Sequence, residues 1–293
     1  MGMELAALSN DLAAAVERAG RSVVAVHARP RFSSCGVLWR PGVIVTAEHT
    51  VRREEDITVT LPDGSNHPAK LAGSDAGTDL AILKVDGAAS EPAVAEAPPV
   101  RPGNLALAIG RSEDSGVNAT LGIISAVSGS WRTWRGGRLD QYIRLDLNMY
   151  PASSGAAVID PAGAVIGVAT SALSRIAAVA IPASTVNRVL DEVLTRGKVA
   201  RGYLGVGLQP VTISPHQTSL IVLSVEPEGP AAKAGVLVGD ILVSLGESKV
   251  ADTDDVQTAL ETSGVGKTIQ AEFLRGGQPQ RIAITVGERP RRS

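Results

Sequence analysis

Three short segments of this chain carry side chains that could work together. His49 lies in Val45-Thr46-Ala47-Glu48-His49-Thr50-Val51, at the end of a β run. Asp79 opens the next strand in Ser74-Asp75-Ala76-Gly77-Thr78-Asp79-Leu80-Ala81, and Ser154 stands where a strand runs into a tight turn, Tyr150-Pro151-Ala152-Ser153-Ser154-Gly155. Acyl-transfer hydrolysis without a metal needs these three types: a nucleophile, a general base and a group that orients the base. A serine hydroxyl is too weakly acidic to attack alone, so an imidazole must take its proton and a buried carboxylate must fix the tautomer of that imidazole. Asp75 and Asp146 compete for the carboxylate role, with Asp75 better suited to the turn, and Ser153 competes with Ser154. Cys35, the one cysteine, reads as a buried small apolar group in Ser34-Cys35-Gly36-Val37-Leu38, although a thiol nucleophile is the alternative. His27, His67 and His216 read as structural histidines.

The elements that must hold these residues are mostly short strands. Apolar residues recur at helical spacing over residues 4–19, with Gly20 as the stop. Then β runs follow at 22–28, 43–47, 57–61, 80–85, 105–109, 119–127, 141–147, 156–160, 164–170 and 177–181, separated by turn signals such as Pro62-Asp63-Gly64. Many strands with no intervening helices argue for barrels or a sandwich. Residues 88–102 read as a connector between the halves of this region. A helix is expected over 184–195 and a linker at 198–202. A second domain follows over 203–289, with β runs at 204–208, 220–225, 241–245, 268–274 and 281–286, helices at 231–234 and 254–262, and a tail at 290–293.

The 293 residues suit two domains at roughly 100–200 residues each. A hydrophobic share of 44% can fill real cores, and 31 glycines and 17 prolines suit a turn-rich β fold. A net charge of −2 gives no reason to expect nucleic acid or an anionic membrane as partner. One cysteine permits no intramolecular disulfide. No run of about 18 apolar residues predicts a membrane span, and no basic start with an unbroken apolar core predicts a secretory leader. The expected location is therefore cytoplasmic if the chain is complete, and periplasmic or otherwise extracytoplasmic if a leader has been removed. No His/Cys/Asp cluster has metal-ligand spacing, so neither metal nor cofactor is expected.

Over nearly its full length the chain resembles the HtrA (Deg) branch of the trypsin-like serine proteases. His49 matches the histidine of that family's Thr-Asn/Ala-x-His-Val segment. Asp79 matches the aspartate in Asp79-Leu80-Ala81-Ile82-Leu83-Lys84-Val85, and Ser154 the serine of Asn-Pro-Gly-Asn-Ser-Gly-Gly. Gly163-Ala164-Val165-Ile166-Gly167-Val168 and Val179-Ala180-Ile181-Pro182 resemble the flanking segments. In the second domain, Arg201-Gly202-Tyr203-Leu204-Gly205-Val206 and the stretch 225–236 are similar to HtrA-type PDZ domains. The resemblance implies a mainly β chain: a protease domain over 21–197 made of a chymotrypsin-like pair of six-stranded β-barrels, preceded by a helix over 1–20 and followed by a smaller α+β PDZ domain.

The same resemblance implies site residues. The triad is His49, Asp79 and Ser154, and the oxyanion donors are the N–H groups of Ala152 and Ser154. Met149, Leu173 and Ala177 fall at the primary specificity pocket, with no charge at its base, which favours a small or medium apolar side chain before the cleaved bond. Tyr203, Leu204, Gly205 and Val206 form the PDZ loop that receives a peptide carboxylate. The family has glycine where this chain has Ala152 and Ala156, and asparagine where it has Tyr150. If the working turn needs φ > 0 at residue 152, alanine favours a loop without its donors. Three functions therefore stand: an endopeptidase for unfolded or damaged proteins regulated by its peptide-binding PDZ domain, a processing protease with one dedicated substrate, or a non-catalytic scaffold holding client peptides at the PDZ groove. The family's homo-trimers imply a trimer here, though Phe32 is the sole aromatic near the start. Trp131 and Trp134, among Arg132, Arg135 and Arg138, suggest either a regulatory or partner-binding loop or a solvated hairpin tip.

Overall fold

A computed structural model describes residues 2–87, 91–93, 99–112, 116–150, 152–215 and 217–289. Most of the expected connector, Pro151, His216 and the 290–293 tail lie outside the described residues. The chain divides into two compact units with the boundary between Val199 and Ala200.

The first unit opens with helix α1 (Gly2–Gly20) and continues with two closed barrels. The first barrel holds β1 (Val23–His27), β2 (Ser34–Arg40), β3 (Val43–Ala47), β4 (Ile57–Thr60), β5 (Asn66–Asp75) and β6 (Leu80–Val85), in the order β1-β2-β3-β6-β5-β4. After β7 (Leu105–Ser112) and β8 (Gly116–Ser128) comes a small separate hairpin, β9 (Trp131–Arg132) with β10 (Arg138–Leu139). Then β11 (Tyr142–Asp146), β12 (Ala157–Ile159), β13 (Val165–Thr170) and β14 (Ala178–Pro182) complete the second barrel in the order β11-β14-β13-β12-β7-β8. Helix α2 (Ala183–Arg196) closes the unit, ending at Gly197 in the left-handed conformation. The expected pair of six-stranded barrels is present. β2 and β5 were not among the expected strands, and β9 and β10 fall in the segment expected as a regulatory loop or hairpin tip.

The strands are apolar on both faces because each serves two cores. Val24, Val26, Leu38, Ile44 and Leu83 fill the first barrel, while their neighbours Val23, Val37, Val45 and Ile82 point into a cluster shared with the second barrel. In the second barrel Ala106, Val158, Ala169 and Ala180 face one cluster, and Leu107, Ile159, Val168 and Ile181 face the shared one. Successive side chains of a strand point to opposite faces, so strands sandwiched in this way read as unbroken apolar runs.

The second unit contains β15 (Gly202–Tyr203), β16 (Val206–Ser214), β17 (Gln217–Val225), α3 (Pro230–Lys233), β18 (Ile241–Leu245), β19 (Ser248–Lys249), α4 (Thr253–Ser263), β20 (Thr268–Arg275), β21 (Gln278–Thr285) and β22 (Gly287–Glu288). The main sheet runs β16-β17-β18-β20-β21, with β19 paired to β18, which leaves β16 at an edge. Gly202, expected in the linker, pairs with Glu288. The first strand of this sheet begins at Val206 rather than Leu204, because Gly205 turns the chain at φ 76°.

Candidate active site

Strand pairing places the imidazole beside the carboxylate. Ala47, at the end of β3, is opposite Leu80, at the start of β6. The next residue of one strand and the preceding residue of the other are therefore neighbours, and Glu48 N–H donates to the Asp79 carbonyl at 3.0 Å. A one-turn 3₁₀ helix, Glu48–Thr50, then directs His49 back over Asp79. His49 N–H donates to Asp79 Oδ1 at 2.9 Å, and its Nδ1 lies 3.0 and 2.9 Å from Oδ1 and Oδ2. The Asp79 side chain is fully buried. Its Oδ2 also accepts the hydroxyl of Thr170, the last residue of β13, at 2.5 Å. A buried carboxylate holding three donors meets the requirement that buried charge be paired.

Ser154 reaches this cluster because its loop lies on β2. Cys35 N–H donates to the Ser154 carbonyl at 3.1 Å. Gly155, at φ 90°, approaches so closely that a Cβ there would lie 2.0 Å from the Cys35 carbonyl oxygen, so only glycine fits. Ser154 Oγ lies 3.3 Å from the hydroxyl of Ser171, which directly follows Thr170. Thus Ser154, Ser171, Thr170, Asp79 and His49 form one continuous chain of contacts. Among the described residues, no hydrogen bond joins Ser154 to His49. Ala152 also lies against β2. Its carbonyl accepts the Cys35 thiol at 3.2 Å.

The competing residues have other partners. Asp75 accepts Gly77 N–H, Thr78 N–H and the Thr78 hydroxyl, which makes it the turn residue that presents Asp79. Asp146 is exposed at the end of β11. His27 pairs with Thr60 and His67 with Ser65. Burial pushes the Cys35 thiol up to about 11, which leaves no thiolate for nucleophilic attack near neutrality. Leu173 is buried in the core shared by the barrels, whereas Met149 packs on the second barrel's own cluster, and Ala177 is half-buried just before β14. Among the described residues, no group of three His, Cys, Asp or Glu could hold a metal ion. Nor is any described helix long and apolar enough to cross a membrane.

The β9–β10 hairpin also belongs to this site. Thr133, in its turn, donates its hydroxyl to the Gly77 carbonyl at 2.7 Å, and Trp131 packs edge-on against Tyr142. Arg135 Nη1 lies 3.6 Å from Glu48 Oε2 and 4.0 Å from Asp79 Oδ1. Burial, and then the Asp79 charge, push the Glu48 carboxyl up, while Arg135, His49 and Arg52 pull it back. Sequence reasoning gave Glu48 no role, put Arg135 only in the expected regulatory loop, and put Thr170 and Ser171 only in the stretch 170–177 expected to line the specificity pocket. Glu48 stood in the histidine motif, but nothing in the sequence shows which distant cation meets it.

In the second unit the Leu204 carbonyl accepts Ala231 N–H and the Gly205 carbonyl accepts Glu226 N–H, both at 2.8 Å. These bonds fix the loop Tyr203–Val206 at the open edge of the sheet. The Tyr203 hydroxyl also donates to the Glu226 carboxylate. Leu204, Val206 and Leu208 share an apolar cluster with Val256, Ala259 and Leu260 of α4. An edge strand beside an apolar helix is what an added peptide strand requires.

Residues 34–168 match the trypsin-like peptidase domain and residues 202–286 match the PDZ domain. A probable periplasmic serine endoprotease DegP-like of Brucella suis is 32% identical over 280 residues, covering 90% of this chain and 54% of that protein. The chain thus spans about half the length of such relatives. The putative serine protease HhoB of Synechocystis is 32% identical, covering 89% of this chain and 68% of that protein. Among solved structures, the HtrA-type protease AlgW with a decapeptide superposes with a TM-score of 0.83 at 28% identity, covering 96% of this chain and 99% of the other. A serine endoprotease from Yersinia pestis gives 0.80 at 30% identity, covering 94% and 97%.

Proposed function

Because this chain belongs to the HtrA family of trypsin-like serine proteases, we propose that it is a serine endopeptidase that cleaves unfolded or damaged polypeptides and takes up peptide C-termini at its PDZ domain. The observation that carries the reading is the buried Asp79 carboxylate, which holds His49 by both its backbone N–H and its Nδ1 while Ser154 lies two contacts away. With Nδ1 committed to Asp79, Nε2 is the nitrogen available to a serine hydroxyl.

In the reaction Ser154 Oγ attacks the scissile carbonyl carbon as Nε2 takes the hydroxyl proton. The tetrahedral oxyanion is assigned to the N–H groups of Ala152 and Ser154. Collapse breaks the C–N bond, and the imidazolium returns its proton to the leaving amine. Water, deprotonated by the same nitrogen, then releases the acyl group from Ser154. The specificity pocket is assigned to Met149, Leu173 and Ala177, and the peptide carboxylate to the Tyr203–Val206 loop.

A second reading, a peptide-holding scaffold without peptidase activity, is favoured by one observation: the Ser154 hydroxyl faces Ser171 instead of the imidazole. A fluorophosphonate probe separates the two. Labelling of the wild type and its loss in Ser154→Ala, with casein cleavage falling by up to about 10⁶ in kcat, is expected for the peptidase. An unlabelled wild type that still binds peptides would leave the scaffold.

A further inference from the structure

The pair Glu48 and Asp79 sets two carboxylates against one imidazole. Asp79 touches Nδ1 of His49, and Glu48 is the residue immediately before it, with its side chain 28% exposed. Two negative charges so near an imidazole favour its protonated form, which is the form that cannot accept a proton from Ser154. A cation is needed to offset them, and one comes from a distant hairpin.

Arg135 is placed for that task by several contacts. Thr133 and Gly137 anchor the hairpin turn on the loop that carries Asp79: the Thr133 hydroxyl donates to Gly77, and Gly137 N–H donates to Thr133 Oγ1 at 3.1 Å. A Cβ at Gly137 would lie 2.1 Å from the Gly77 carbonyl carbon, so the approach is closer than any other residue permits. From this anchor the guanidinium reaches Glu48 and Asp79. Trp134 lies over it, 4.9 Å from ring centroid to guanidinium carbon. This stacking restricts the arginine and removes part of its hydration. The charged groups around the imidazole are therefore Asp79 from the start of β6, Glu48 from its own turn, Arg135 from the hairpin and Arg52 just beyond the turn.

We propose that Arg135 is a positioning residue of the active site, whose guanidinium balances the charge of the Glu48–Asp79 carboxylate pair that flanks the His49 imidazole. The proposal rests on His49 being the general base of the proposed peptidase. The sign follows from charge. Removing Arg135 leaves the two carboxylates with less compensating charge, Arg52 alone remaining, and so favours the protonated over the neutral ring.

The test follows the His49 ring of the full-length protein through a pH titration, by NMR of histidine labelled at Cε1, with His49→Asn identifying the signal. The acid limb of the kcat/KM profile is measured beside it. In Arg135→Ala both should move to higher pH by about one unit. Arg135→Lys should restore most of the shift, and Glu48→Gln in the Arg135→Ala background should reverse part of it. A ring titration in Arg135→Ala that coincides with wild type overturns the proposal, as does a shift that Glu48→Gln leaves untouched. Because the ring titration needs no turnover, it tests Arg135 even if Ser154 proves unreactive to the fluorophosphonate probe. A purely structural arginine would lower activity at every pH without moving either midpoint.

Discussion

The hydroxyl of Ser154 is shared between two roles. At 3.3 Å from Ser171 Oγ it has a hydrogen-bond partner that contributes nothing to its nucleophilicity. Where Ser154 is the donor in this contact, proton transfer to His49 requires that it be given up. A neutral hydrogen bond is worth about 0.5–1.5 kcal/mol net, and the contact exists only before attack. Removing it should therefore raise reactivity. Ser171→Ala is expected to increase the rate of fluorophosphonate labelling about threefold, the equivalent of about 0.7 kcal/mol. Labelling unchanged or slower than wild type would show that Ser171 does not restrain the nucleophile. His49, Asp79 and Ser154 were legible in the sequence because each sits in a local pattern a few residues long. Thr170, Ser171 and Arg135 were not, since they meet the triad only through approaches between strands and loops far apart in the chain.

At the scale of elements, the β3–β6 pairing and the turn before β6 decide whether the triad exists. Asp79 has φ 57°, a left-handed state that costs a non-glycine residue about 1–3 kcal/mol. Asp75 holds the turn in that state through Gly77 and Thr78, and both Asp75 and Thr78 are buried. Asp75→Ala would leave the buried Thr78 hydroxyl and N–H without their acceptor. It should destabilise the protein by about 2–3 kcal/mol in chemical denaturation and slow fluorophosphonate labelling by loosening Asp79, whereas Asp75→Asn, which keeps an acceptor oxygen, should lose less of both. Full labelling in a destabilised Asp75→Ala protein would show that the turn serves the fold alone. The sequence showed β3 and β6 to the residue because each is dominated by apolar residues buried on both faces, interrupted only by Thr46 in one and by the exposed Lys84 in the other. It concealed β5, whose Asn66, His67, Pro68, Lys70 and Gly73 break any alternation, and whose register shifts between Leu71 and Gly73. It concealed β2 for another reason: Ser34, Cys35 and Gly36 open the strand without alternation, which leaves only Val37 and Trp39 as strand formers before Arg40.

At the scale of the whole molecule, the distribution of cores determines what can fold alone. Every buried residue of the cluster around Leu220, Leu245, Phe273 and Ile284 lies beyond residue 200, whereas the cluster around Val45, Ile82, Leu107 and Ile181 draws on both barrels and on helices α1 and α2. Cutting between Val199 and Ala200 therefore severs none of the apolar clusters among the described residues, while cutting within residues 88–104 would expose the face that each barrel presents to the other. A fragment of residues 200–293, with its own core and a size above the roughly 40 residues needed for independent folding, is expected to melt cooperatively. It should also bind C-terminal peptides. Residues 1–199, which hold the whole shared cluster, should also melt cooperatively, and residues 1–104 alone should aggregate or remain unfolded. Calorimetry and amide NMR dispersion on the three fragments check this. A 200–293 fragment with collapsed amide shifts, or a 1–104 fragment with a sharp melting transition, would show that the stabilising contacts are divided differently from the apolar clusters described above.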